Sequence, residues 1–366
     1  MMPSISGLLR VAAIAIGAAL SLIAHSSEPP ATGRKIVVEK TGDRYEWKLV
    51  QAPLPTVGDE QVLVRVHAIS LNRGELSRLE RQAFDEAAKT PVSDAAGEVV
   101  AVGRAVKGVR QGDRVTSTYF RHWIDGPFQE RYLDDVHGWT IEGVAAEYIA
   151  LDARAVVPIA KDFSYEEAST LPTAALTAWN AVIGRANTQK GDVVLVQGTG
   201  GVSTFALQFA VAAGARVIVT SSSDEKLAHA FKLGARDGIN YRKEPEWAKS
   251  VLRVTEGRGA DLVLDVVGKS TLAQSVDSLA DGGTLAIIGG ITGYDGSLPA
   301  WGILKKSATA EGIFVGSRAD YVRMNEFIAR HRLRPLVDRV YPIEQYSEAL
   351  QAMASGGFMG KIVLTF

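Results

Sequence analysis

One stretch limits the folds open to this chain more than any other: Asp192 to Ala210. Val193, Val194, Leu195 and Val196 form an uninterrupted apolar run, as a strand covered on both faces requires. Gly198, Gly200 and Gly201 come next, and glycines at that point let the backbone turn tightly and come close to a ligand. Phe205, Ala206, Phe209 and Ala210 then recur at helical spacing, so one helix face packs back onto the sheet. A helix that begins at such a turn aims its free N–H groups at it and makes an anion site. A dinucleotide pyrophosphate is the anion that suits it, held by Gly198, Thr199, Gly200, Gly201 and Val202. The glycine pattern alone is weak, because Ser203 stands where the usual third glycine would be. An ordinary strand–turn–helix connection has the same look.

The next strand end, at the right spacing from the glycines, favours the nucleotide. That strand, Ala215 to Thr220, ends in Ser221, Ser222 and Ser223, with Lys226 shortly after. An NAD-selective site places an acidic residue at that strand end to bind the ribose hydroxyls. Three hydroxyls and a lysine suit a 2′-phosphate instead, so the expected cofactor is NADP. One of the serines also serves as a helix N-cap in the simpler reading, and Asp224 falls in the first helical turn. Strands continue in alternation with helices at residues 238–241, 260–268, 283–290 and 310–316, the pattern of a doubly wound parallel sheet. The late strand ends at Gly289 and at Phe314 and Val315 should meet the nicotinamide half through backbone groups.

The chain has 366 residues, 46% of them hydrophobic, and a net charge of −1. That is room for two domains, and it gives no sign of a nucleic-acid or anionic-membrane partner. There are no cysteines, which excludes disulfides and thiolate-bound zinc. The six histidines lack metal-binding spacing, and no metal ligand set is expected. Residues 1–33 carry Arg10, an apolar run from Val11 to Ala24 and then small and polar residues. They resemble a secretory signal or an N-terminal anchor, which would provide the chain's membrane contact. A start codon placed too early would leave a cytoplasmic protein, so the compartment stays open.

From Arg34 the chain turns β-rich, with strands expected at residues 35–39, 45–50, 61–70, 94–103 and 112–115. The run from Gly97 to Gly103, then Val106 and Gly112 to Val115, resembles the GroES-like domain of medium-chain dehydrogenases/reductases. The resemblance extends from about Arg34 to Phe366. It implies an α/β protein: a GroES-like β-rich catalytic domain over residues 34–160, completed by 330–366, and a Rossmann doubly wound parallel-sheet domain over 161–329. The segment Leu71 to Leu76 stands where zinc-dependent members carry a cysteine, so the chain resembles the zinc-free branch of quinone oxidoreductases and enoyl reductases. That branch begins this segment Asn-x-x-Asp with a tyrosine further on. Here Asn72 matches, Glu75 replaces the aspartate and Ser77 replaces the tyrosine.

By the same resemblance Thr177 lies near the nicotinamide, Tyr241 helps hold the 2′-phosphate and adenine, and the protein is a homodimer acting on a small molecule. The expected reaction is hydride transfer from NADPH to an activated alkene or quinone. Asn72 is the expected donor to the substrate oxygen, with a helix-capping residue as its simpler role. A zinc-free alcohol dehydrogenase and a non-catalytic NADP-binding sensor are the alternatives. The aromatic loop from Tyr119 to Phe128 is expected to be either a substrate wall or a packing loop.

Overall fold

A computed structural model describes residues 29–84 and 89–366. The signal-like segment lies almost wholly outside the described residues. Residues 31–366 form one compact unit, built around two sheets.

The chain enters through a hairpin of β1 (Thr32–Thr41) and β2 (Arg44–Pro53). Five strands come after it: β3 (Gln61–Leu71), β4 (Asp94–Val102), β5 (Arg114–Ser117), β6 (Tyr148–Asp152) and β7 (Val156–Pro158). β3 pairs antiparallel with both β4 and β6, so the sheet curls on itself. Its inward face carries Val62, Val64, Val66 and Ala68, all buried. That alternation is the period-two pattern of a half-buried strand.

The second sheet is parallel. Its strands are β8 (Val193–Gln197), β9 (Arg216–Ser221), β10 (Asp237–Asn240), β11 (Ala260–Asp265), β12 (Leu279–Ile287) and β13 (Thr309–Gly312). They lie in the order β10-β9-β8-β11-β12-β13. All five residues of β8 are buried, because helices cover both faces. The chain winds outward in one direction from β8 and in the other from β11. A crevice therefore opens at the carboxyl ends of these two strands, the usual ligand position in such sheets.

The chain then returns. β14 (Val337–Pro342) and β15 (Lys361–Thr365) join the first sheet, with β15 lying antiparallel to β3. Gly360 forms a bridge to Gly200, its N–H donating to Thr199 O at 2.9 Å. The last strand thus touches both sheets.

Two local expectations need correction. The expected sixth parallel strand stops at Gly312, and Val315 beyond it takes a left-handed conformation with φ 53°. The helical segment around Pro172 does not continue evenly either. Wide π turns at Leu171–Ala175 and Asn180–Arg185 flank Leu176–Trp179. Proline removes a backbone donor, and the widened turn aims Thr173 out of the helix toward the first sheet.

Candidate active site

The glycine turn has the shape of a phosphate cradle. Gly198 sits at φ 74°, a conformation costly for any other residue. Gly200 caps the helix Gly201–Ala212. A Cβ at Gly200 would meet nothing within 4 Å, so space lies open there. Thr199 is buried and gives its carbonyl to Gly360, while Val202 is half-buried in the first helical turn. Ser203 replaces the third glycine without harm, because its hydroxyl donates to Gln197 O at 2.7 Å and ties the helix to β8.

Behind that turn lies a buried polar cluster. A Cβ at Gly201 would come within 2.5 Å of Lys361 Cδ, so glycine is needed where the lysine stem passes. The Lys361 ammonium donates to Leu71 O at 2.7 Å and to Asn72 Oδ1 at 2.5 Å, and lies 3.8 Å from Asp94 Oδ2. Asn72 Nδ2 donates to Asp94 Oδ2 at 3.0 Å, and Thr173 Oγ1 donates to Asp94 Oδ1 at 2.5 Å. One turn into the helix Arg73–Arg81, the Glu75 carboxylate accepts from the Asn72 N–H at 2.7 Å. Ser93 Oγ stands 3.5 Å from its other oxygen.

Asp94 is fully buried and Lys361 is 3% exposed. Burial raises the Asp94 carboxyl and lowers the Lys361 ammonium, while the opposite charge of each partner counters both shifts. Glu75 is pushed up to about 7 by burial and then by the neighbouring Asp94 charge. It is a carboxyl that holds its proton near neutrality.

Asn72 stands at the helix N-cap, the simpler of the two roles that its sequence position suggested. Its amide is engaged by Asp94 and Lys361, and its backbone by Glu75. It caps the helix and orients the carboxylate. Thr177 likewise spends its hydroxyl proton on Thr173 O at 2.7 Å within its own helix, leaving only its oxygen as an acceptor.

At the far end of the crevice, Gly289 is required by close packing: a Cβ there would lie 2.3 Å from Val266 O. The Val315 carbonyl accepts from Asn180 Nδ2 at 2.8 Å, which fixes the backbone at this strand end. Phe314 is 44% exposed and faces the aromatic loop. Its ring stacks on Phe128 at 5.5 Å and meets Phe120 at 5.6 Å and Tyr119 at 6.2 Å. Tyr119, Phe120 and Trp123 are all buried, so this part of the loop is packing, and Phe314 is the exposed ring beside it. Across the mouth, Arg81 Nη2 donates to Gly290 O at 3.4 Å.

At the end of β9, Ser223 caps the next helix by accepting from the Lys226 N–H. Ser221 is buried and Ser222 half-buried. Tyr241 is 41% exposed, and its N–H donates to Ser221 O at 3.0 Å. The Lys226 ammonium donates to Gly356 O at 2.5 Å, across to the returning chain. Burial lowers its pKa, and the Arg242 charge lowers it further. Asp224 is bound by Asn240 Nδ2 at 2.6 Å and by Lys243 Nζ. Sequence reasoning missed Arg242, for which its place beside Tyr241 was the signal available. It also missed Lys361 and Thr173.

Two family models match the chain. One, described as the alcohol dehydrogenase GroES-like domain, matches residues 58–161. The other, described as zinc-binding dehydrogenase, matches residues 201–330. A zinc-type alcohol dehydrogenase-like protein of Schizosaccharomyces pombe is 42% identical over 314 residues, covering 83% of this chain and 90% of its own. A solved candidate alcohol dehydrogenase of Sinorhizobium meliloti 1021 superposes with a TM-score of 0.87 at 39% identity, over 92% of this chain and 100% of its own. A quinone oxidoreductase of Coxiella burnetii superposes with a TM-score of 0.72 at 25% identity, over 92% and 99%.

Proposed function

Because the chain belongs to the medium-chain dehydrogenase/reductase superfamily, and so to a class of NAD(P)-dependent oxidoreductases, we propose that it reduces an activated alkene or quinone with NADPH, without zinc. The observation that carries the zinc-free reading is the donor set. Where a metal would need thiolates or imidazoles, this crevice presents Asn72, Ser93, Asp94 and Thr173, with the Lys361 ammonium 3.8 Å from the carboxylate. A second cation has no soft ligand there, and it would face a lysine.

The turn at Gly198 to Val202 would hold the pyrophosphate, and the Phe314 and Gly289 strand ends would flank the nicotinamide. Bound there, the reduced nicotinamide supplies a hydride. Ser222, Tyr241, Arg242 and Lys226 would hold the 2′-phosphate. The state of Asp224 favours NADPH over NADH: its carboxylate is spent on Asn240 and Lys243 rather than left for ribose hydroxyls. Phe314 and Tyr119 give the crevice an apolar wall, suited to a conjugated substrate. With no metal to polarise a simple carbonyl, the conjugated acceptor is the easier one, since hydride adds at carbon while charge moves to oxygen.

The test is a panel of enones, quinones and aldehydes with NADPH and with NADH, beside titrations of both nucleotides. NADPH should bind at least tenfold more tightly, and Lys226→Ala should close most of that gap. Equal affinities in the wild-type protein, or turnover restricted to simple aldehydes, would refute this reading in favour of an alcohol dehydrogenase.

A further inference from the structure

The cluster around Asp94 leaves the substrate oxygen without an evident donor. The Asn72 amide is engaged by Asp94 and Lys361, and the Thr177 hydroxyl proton goes to its own helix. Tyr119 is placed to fill that gap.

It lies two residues beyond β5, and the backbone there is fixed from both sides. Ser117 Oγ donates to Ser93 O at 2.8 Å and accepts from the Ala95 N–H at 3.0 Å, so it grips the two residues that flank Asp94. Thr118 N–H donates to Ala155 O at 3.0 Å, and Tyr119 O accepts from the His137 N–H at 3.2 Å. Tyr119 itself stands at a bend two residues past Ser117, where β5 ends. Its ring meets Phe120 edge-on at 4.8 Å and reaches Phe314 at 6.2 Å. The ring therefore lies beside the strand end assigned to the nicotinamide. It is 7% exposed. The charges that act on its hydroxyl come from Glu75 and Asp94 in the cluster and from Tyr294 across the mouth, with Arg78 opposing them. Burial and those carboxylates raise its pKa, so it stands ready as a neutral O–H donor.

We propose that the Tyr119 hydroxyl is the group that hydrogen-bonds the substrate oxygen and delivers a proton to it. The inference rests on the reductase reading above. A reduced nicotinamide held at the Gly198–Val202 turn would supply the hydride that reduces the substrate carbon and would itself be oxidised, with the displaced electron pair moving to oxygen. The Tyr119 O–H bond breaks, the proton joins that oxygen, and the phenolate regains a proton from solvent. A donor placed where negative charge develops acts mainly on the transition state.

Tyr119→Phe keeps the ring and its contacts and removes only the donor. With NADPH and the best substrate of the panel, kcat should fall about 100-fold, KM should change less than threefold, and the solvent deuterium isotope effect on kcat should shrink toward one. Tyr321→Phe removes a buried hydroxyl that accepts from Thr116 Oγ1 and keeps the ring, and it should leave kcat unchanged. A second readout needs no turnover. A dimethylamino-substituted cinnamaldehyde bound to the nucleotide-free protein should absorb at longer wavelength than in water, and Tyr119→Phe should abolish the shift. If Tyr119→Phe retains kcat and the isotope effect within twofold, or leaves the absorption shift intact, the proposal is overturned. If the wild-type protein reduces nothing in the panel, the reductase reading fails instead, and the absorption shift alone decides whether Tyr119 binds a carbonyl oxygen.

Discussion

A lysine ammonium with almost no access to water is held in its charged form by what surrounds it. Lys361 has Leu71 O, Asn72 Oδ1 and the Asp94 carboxylate for that purpose. Removing one member of a buried ion pair leaves the other charge uncompensated, which costs about 3–5 kcal/mol. Lys361→Met should therefore lower stability by about that amount in urea titration. Adding Asp94→Asn should restore most of the loss, since the orphaned charge goes with it. A loss in the double variant equal to the sum of the two single losses would mean that the two residues act independently.

At the scale of elements, the glycine turn separates folding from binding. A Cβ at Gly200 meets nothing within 4 Å, and its φ of −75° is open to alanine. Gly200→Ala should melt within a degree or two of wild type without nucleotide. A methyl group there would occupy the space where the pyrophosphate approaches, so the rise in melting temperature that NADPH gives the wild-type protein should be largely lost. A full nucleotide-induced rise in Gly200→Ala would remove the turn from the binding site.

The same elements explain what could be read in advance. β8, its glycine turn and the helix after it are local patterns: an apolar run, a turn and a helical stripe within twenty residues. Each was legible because neighbours in sequence are neighbours in space. The serine-rich end of β9 was legible for the same reason. Lys361 was not, because its partners Leu71 and Asn72 lie 290 and 289 residues away in the chain, and a lysine opening a strand looks like a solvated one. Tyr119 was hidden among the aromatics of its loop, buried like Phe120 and Trp123 beside it, and the Glu75 and Asp94 charges that reach it come from distant parts of the chain. The expected role of Asn72 came from its position in the segment; the carboxylate that claims its amide comes from another strand.

For the molecule as a whole, two buried groups set opposite limits on the pH at which it is stable. Glu75 goes from 4.5 to about 7 on folding. Between those values the unfolded chain has released its proton and the native chain keeps it, so stability falls as pH rises through that window, by about 3 kcal/mol in all. His137 goes from 6.5 to about 4, mainly through burial. Below pH 6.5 the unfolded imidazole gains a proton that the native one refuses, so stability falls as pH drops toward 4, by a similar amount. Chemical denaturation across this range should show that Glu75→Gln loses the alkaline-side decline and keeps the acid-side one. An unchanged profile in Glu75→Gln would mean that this carboxyl is ionised throughout.

The position of Lys361 on β15 also bears on how the protein is made. Ribosomes deliver the crevice walls well before the lysine. Until β15 slides in against β3, Asp94 and Glu75 face each other without their cation, and the glycine turn lacks the stem that backs Gly201. A nascent chain can form both sheets' separate strands and still have no finished site. Completion of the site thus waits on β15, and a chain cut short before residue 361 should be an early target for proteolysis rather than a weakly active enzyme.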